Sequence, residues 1–214
     1  MIPGYLTVLL MLNVYILFAT GWKSVFAADI RTDLFFSVTA IMACSLLFPL
    51  WWAPFKDVLN LKIHGAACLL LSISAIIVWR SKESGVRGYL LLCILMLAMI
   101  MGSIKSLYSI ETMFHWFESS WNASLIGGLI CGIFTTEIKH QLAILTWGAA
   151  LGEGLEAFFR EGTYHVAIGT LSWWDGLLVA LCIAVSFSLM KRVVRRGKLK
   201  LSAAWLQLKG GRSS

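Results

Sequence analysis

The densest run of ionisable residues is Gly152-Glu153-Gly154-Leu155-Glu156, followed by Arg160, Glu161 and His165. On a helix, Glu153 and Glu156 stand three apart and share a face, and Arg160 lies four beyond Glu156, at ion-pair spacing. Glu153 is two turns from Arg160, about 10 Å along the axis, inside the apolar run Leu142–Phe159. A carboxylate at that depth in a membrane costs a few kcal/mol unless it is paired, protonated or wetted. Three roles are open to Glu153, Glu156 and Arg160. The first is structural, a carboxylate bonded to a neighbouring span or reaching the interface. The second is a cation- or proton-linked transport site. The third, ranked last, is an intramembrane enzyme.

Little supports the third role. Glu156-x-x-x-Arg160 is similar to the EExxxR motif of CAAX-type intramembrane proteases, but Leu155 replaces the adjacent glutamate. None of His64, His115, His140 and His165 follows a Phe by four residues, so the FxxxH element is missing. The histidines form no HExxH or His-x-His spacing, and Cys44, Cys68, Cys93, Cys131 and Cys182 form no CxxC pair. No metal site and no cofactor is therefore expected, and the cysteines read as small buried apolar residues. The sequence contains no phosphate loop, dinucleotide fingerprint, nucleophile elbow or nucleic-acid module. The last apolar run, Trp173–Met190, has no lysine for a retinal. The chain reads as non-enzymatic.

The elements that must carry these residues follow from composition. Of 214 residues, 59% are apolar and 14% charged, and mean hydropathy is +0.81; soluble domains are about 25% charged. A soluble core of this size could not hide so much apolar surface. Helical crossings need roughly 17–25 apolar residues. Such runs are Ile2–Thr20, Leu34–Trp52, Ile63–Trp79, Tyr89–Leu107, Trp121–Thr136, Leu142–Phe159 and Trp173–Met190. Backbone polar groups in lipid must be satisfied within the segment, and the alternating pattern of a membrane barrel is absent, which leaves helix. The expected fold is all-α: a polytopic transmembrane helix bundle of about seven spans over residues 1–190, with a basic tail over 191–214. The fifth run is the shortest, and a six-span bundle with that segment re-entrant is the alternative. Val25-Phe26-Ala27 resembles a signal-peptide cleavage site, but no Lys or Arg precedes the first run, so a retained first span is expected.

Charge sets the orientation. Eight of the 18 Lys and Arg residues lie in the tail: Lys191, Arg192, Arg195, Arg196, Lys198, Lys200, Lys209 and Arg212. Cytoplasmic loops retain such residues, so the C-terminus is placed in the cytoplasm and, with seven spans, the N-terminus outside. Lys56, Lys62, Lys105 and Arg160 then fall outside, and the other 14 bases inside. Asp57, Glu111, Glu118, Glu153, Glu156, Glu161 and Asp175 leave the outer face at −3, a field that would draw cations or a basic partner. Lys105 is expected to snorkel outward from its span end. Trp51, Trp52, Trp173 and Trp174 read as an outer aromatic belt, and Trp22 and Trp79 as an inner one.

Two stretches are amphipathic. Ile110, Met113, Phe114, Phe117 and Trp121 form one apolar stripe, read as an outer interfacial helix or as an extension of the fifth span. In Lys198–Lys209, Leu201, Trp205 and Leu208 share a face among lysines. Together with Lys191, Arg192, Arg195, Arg196, Lys198 and Lys200, Trp205 is expected to contact anionic inner-leaflet lipid, at roughly 1 kcal/mol per basic residue. Ser124, Gly128 and Gly132, spaced by four, and Gly148 and Gly152 mark close helix packing. Their place on consecutive spans predicts that spans five and six pack on each other as a hairpin.

The chain length, the span pattern, the Gly- and Glu-rich sixth span from Trp147 to Arg160, and the basic tail after Trp173-Trp174-Asp175 resemble the YphA-like small membrane proteins of spore-forming Bacillales. The resemblance implies a multi-pass protein of the bacterial plasma membrane and transfers no activity and no catalytic residue. Expected partners are the lipid bilayer, anionic inner-leaflet lipid and a membrane protein. Nucleic acid is not among them, because the net charge of +7 reflects topology. The functional expectation is a non-enzymatic assembly or partner-binding component; the alternative is a small transporter or channel using Glu153 and Glu156.

Overall fold

The apolar runs fold as helices because lipid leaves their backbone groups no other partner. The structure is a computed structural model that describes residues 3–21, 41, 44, 46, 48, 50–55, 60–81, 83–110, 119–159 and 165–210. Its helices are α1 (Tyr5–Ala19), α2 (Gly65–Trp79), α3 (Ser84–Ile110), α4 (Ser119–Phe134), α5 (Ile138–Phe159) and α6 (Leu171–Gly210). Among the described residues, three segments are long and apolar enough to cross a membrane: Ser84–Leu107, Ile138–Phe159 and Leu171–Arg195. Gly65–Trp79 and Asn122–Phe134 are apolar but shorter. Most of the expected second span, Leu34–Trp52, lies outside the described residues, as do Trp22, Arg160 and the stripe residues Met113, Phe114 and Phe117.

The fold is mostly helical but not all-α. Strands β1 (Trp51–Phe55), β2 (Asn60–His64) and β3 (His165–Ile168) form a sheet in the order β1-β2-β3. β1 pairs antiparallel with β2, Trp52 opposite Ile63, and β2 pairs parallel with β3, Leu61 opposite Val166 and Ile63 opposite Ile168. Strands of four or five residues are too short for a period-two pattern to stand out beside apolar helices. The chain turns out of β3 at Gly169, whose φ of +91° favours glycine, and a Cβ there would lie 2.6 Å from the Cβ of His64. His64 in turn starts α2, its Nδ1 accepting the Ala66 N–H at 3.4 Å.

Small residues decide which helices meet. A Cβ at Gly102 of α3 would lie 2.8 Å from the Leu155 Cβ of α5, and one at Gly148 of α5 would lie 2.8 Å from Leu97 Cδ2. Gly152 faces Met101 in the same seam. In the second seam, a Cβ at Gly128 of α4 would fall 2.4 Å from the Ala180 carbonyl oxygen of α6, and Gly132 faces Phe187 and Ala184. The expected hairpin between spans five and six is therefore corrected: α4 docks on α6, and α5 docks on α3. Spacing by four says that a helix face is small, and it does not say which helix will use it.

The two ends of the bundle are fastened by polar contacts. At the sheet end, Asp175 of α6 caps α1: its Oδ2 accepts the Gly4 N–H at 2.7 Å, and its Oδ1 accepts the Thr7 N–H at 2.7 Å and the Thr7 hydroxyl at 2.6 Å. At the other end, α3 and α5 begin where α4 ends. Tyr89 donates to the Phe134 carbonyl at 2.8 Å, and the buried Gln141 amide donates to the Thr135 carbonyl at 2.7 Å and to the Ser188 hydroxyl. Helices α2, α4 and α6 thus run away from the sheet end, and α3 and α5 run toward it.

Three substitutions test this packing and capping. Gly128→Ala should lower stability by about 1–3 kcal/mol, because backbone must move. Gly154→Ala, with nothing within 4 Å of the new methyl, should be neutral or stabilising by up to ~1 kcal/mol. Thermal unfolding in detergent compares them directly. Asp175→Ala should cost about 1–2 kcal/mol and speed amide exchange in the first turn of α1.

Candidate functional site

The close seam between α3 and α5 brings two ionisable side chains together. Gly102 and Gly152 let the backbones approach, and Lys105 and Glu153, one turn and one residue further on, meet across the gap. The Lys105 ammonium donates to Glu153 Oε1 in an ion pair whose side chains are only 19% and 20% exposed. Lys105 therefore turns into the bundle and does not snorkel outward as expected. The reason is energetic: a membrane-depth carboxylate needs a partner, and the cation on the adjacent helix supplies one without leaving either charge bare. Glu156, three residues on, is half-buried and also interacts with a neighbour. Arg160, its expected partner, lies outside the described residues.

Beside the ion pair is a cavity of about 170 Å³. Met101 and Lys105 of α3, Ser124 of α4, Ala149 and Glu153 of α5, and Thr170, Ser172, Trp173, Gly176 and Leu177 around the start of α6 line it. Thr170 caps that helix, its hydroxyl accepting the Trp173 N–H at 3.2 Å and its carbonyl accepting the Trp174 N–H at 3.0 Å. The positive end of the α6 dipole thus borders the cavity. A Cβ at Gly176 would sit 2.7 Å from the Ser124 hydroxyl, so a larger residue there would force that side chain to shift.

Trp173 and Trp174, expected in an outer aromatic belt, are core residues. They are 5% and 1% exposed and pack edge to face with ring centroids 5.2 Å apart. Their indole N–H groups are buried with no acceptor among the described residues. Trp51, Trp52 and Trp79 remain exposed on the bundle surface. The belt reading fails for Trp173 and Trp174 because they start a helix that faces α4, where the apolar rings exclude more surface than they would in headgroups.

Of the residues expected at the inner lipid surface, two have another use. Lys191 donates to the Gly132 carbonyl at 3.0 Å and the Ile133 carbonyl at 3.5 Å, and Arg192 donates to the Thr136 carbonyl at 2.7 Å. They satisfy the C-terminus of α4, where orphan carbonyls and the negative dipole end favour cations. Arg195 is exposed, and the backbone of Arg196, Lys198, Lys200 and Trp205 continues α6. The sequence reading missed Tyr89, Gln141 and Ser188, which lie in or directly beside apolar runs and carry no charge to flag them. Lys105 had a visible signal, a base at the end of one span facing the same side as an acid in another.

If the ion pair holds α3 against α5, Glu153→Gln and Lys105→Met should each destabilise by about 3–5 kcal/mol. The double variant should lose much less than the two losses combined, since no charge is left bare. Folded yield and melting temperature in detergent read this coupling; strictly additive losses would remove the pair from the account.

The family model for YphA-like integral membrane protein matches residues 35–204, a stretch that holds the ion pair, every residue lining the cavity and the whole sheet. No curated protein and no solved structure matches the chain. The chain belongs to the YphA-like integral membrane proteins.

Proposed function

We propose that this integral membrane protein is a non-enzymatic assembly or partner-binding component of the bacterial plasma membrane. It crosses seven times, with its N-terminus outside and its C-terminus in the cytoplasm. The observation that carries the reading is α6, which leaves the bundle and continues as one 40-residue helix to Gly210. From Arg195 to Gly210 it extends about 22 Å further by helical rise. A stiff arm bearing Arg196, Lys198, Lys200 and Lys209, rooted on α4 through Lys191 and Arg192, suits an acidic protein surface or anionic headgroups. The arrangement of contacts supports the grouping of positions by side that seven spans give. Gly4 with Asp175, β2 with β3, and Lys105 with Glu153 each join positions that seven spans put outside; Lys191 with Gly132 joins positions put inside.

The cavity beside the Lys105–Glu153 pair favours a second reading, a small transporter that uses Glu153 and Glu156. Against it, Glu153 already holds a cation in Lys105.

In-membrane crosslinking followed by affinity purification should recover a defined membrane partner from the full chain and lose it on removal of residues 196–214 at unchanged abundance. Retention of the partner by the shortened chain would discard the arm. A reporter fused after Glu161 should read outside, and a cytoplasmic signal would reverse the orientation. Protein-dependent, saturable uptake in reconstituted vesicles would favour the transporter.

A further inference from the structure

Helix α6 runs on past the end of α4, and its residues keep a seven-residue period. Phe187, Val194, Leu201 and Leu208 recur at every seventh position, with Met190, Gly197 and Ala204 three places after the first three. The backbone is helical throughout this stretch, so these positions form one line, the a and d positions of a heptad. The line starts inside the bundle, where Phe187 packs on Gly132 of α4. α4 ends at Phe134, and Met190 and Val194 are already exposed. Further along, the small residues Gly197 and Ala204 let a second helix approach closely.

Position decides against the bilayer as the cover. Lys191 and Arg192 hold the C-terminal end of α4, at the edge of the span. Leu201 and Leu208 lie about 15 and 25 Å beyond Lys191 by helical rise. Spans tilt on average by about 20°, so little of that length is lost. The headgroup layer is only about 5–8 Å deep, and the field of anionic lipid fades within about 8 Å. Charge decides against a second copy. The e and g positions that flank the line include Lys191, Lys198 and Lys200, and no acid lies between Gly176 and Ser214. Two such arms side by side would set bases against bases. A helix with Glu or Asp at its own flanking positions reverses the sign, and its apolar face covers the line.

We propose that the α6 arm docks an acidic amphipathic helix of another protein along Val194, Leu201 and Leu208, with Lys198 and Lys200 opposite its carboxylates. The inference rests on the partner-binding reading and gives the partner its chemistry.

The test uses the full chain in phosphatidylcholine nanodiscs and two labelled four-heptad peptides. Both carry Leu at a and d; one has Glu at e and g, the other Lys. Fluorescence anisotropy should show saturable binding of the Glu peptide at least about tenfold tighter than the Lys peptide. Lys198→Glu/Lys200→Glu should reverse that preference. Leu201→Ser/Leu208→Ser should abolish binding, whereas Leu199→Ser/Leu206→Ser, off the line, should leave it unchanged. No saturable binding of the Glu peptide, equal binding of both peptides, or equal loss from the two Leu→Ser pairs would overturn the proposal. So would a nitroxide at position 201 that reports contact with lipid in phosphatidylglycerol nanodiscs, which names the membrane. Rapid disulfide formation between copies carrying Leu201→Cys in a cysteine-free background would overturn it in favour of a second copy. If the crosslinked partner is lost on removal of residues 196–214 but kept by Leu201→Ser/Leu208→Ser, the docking reading stands and the heptad line is discarded.

Discussion

Close approach of helix backbones is the constraint on which the rest depends. In lipid no hydrophobic effect drives one helix against another, so association rests on packing and on polar contacts. Gly128 lies so near Ala180 that one added methyl would reach to 2.4 Å of a carbonyl oxygen. Gly102, Gly148 and Gly152 bring α3 and α5 together in the same way. The two seams join through Met101, whose sulfur would lie 3.0 Å from a Cβ at Gly127 of α4. The ion pair is a product of the first seam, since Lys105 and Glu153 meet only because the glycines below them let the helices touch. The cavity is what remains where the two helix pairs come together.

A second requirement shapes the opposite end. The C-terminus of a helix leaves carbonyls without partners, and near lipid water satisfies them poorly. Here the carbonyls of Gly132, Ile133, Phe134, Thr135 and Thr136 each accept from a side chain: Lys191, Tyr89, Gln141 or Arg192. The donors come from α3, α5 and α6, so meeting the needs of one helix end ties three others to it. Lys191 and Arg192 consequently serve two purposes. They mark the boundary of the span by charge and root the α6 extension in the bundle.

Much of this was legible in the residues, but unevenly. Membrane class followed from the apolar runs, and family membership from the span pattern, the sixth span and the tail. Glu153 stood out because a carboxylate inside an apolar run demands an explanation. Its partner did not stand out, because Lys105 is 48 residues away and lysines near span ends ordinarily reach for water. The glycine stripes announced close packing, yet chain adjacency suggested the wrong partner. The sheet was invisible because β2 pairs with a strand about a hundred residues later, at a length where no periodicity develops. Trp173 and Trp174 read as interface anchors, since sequence position near a span end carries no information about which way a ring faces.

The pairing of α4 with α6 is the claim that most of the account rests on, and disulfide trapping tests it directly. A Cβ at Gly132 would lie 3.2 Å from the Phe187 Cβ, close to the roughly 3.5–4.5 Å that a disulfide spans. In a cysteine-free background, Gly132→Cys with Phe187→Cys should oxidise rapidly and completely in native membranes. Ser124→Cys with Gly148→Cys, the pair that a hairpin of spans five and six would bring together, should stay reduced. Efficient trapping of the second pair without the first would contradict the arrangement of helices, and with it the origin of the ion pair and the cavity.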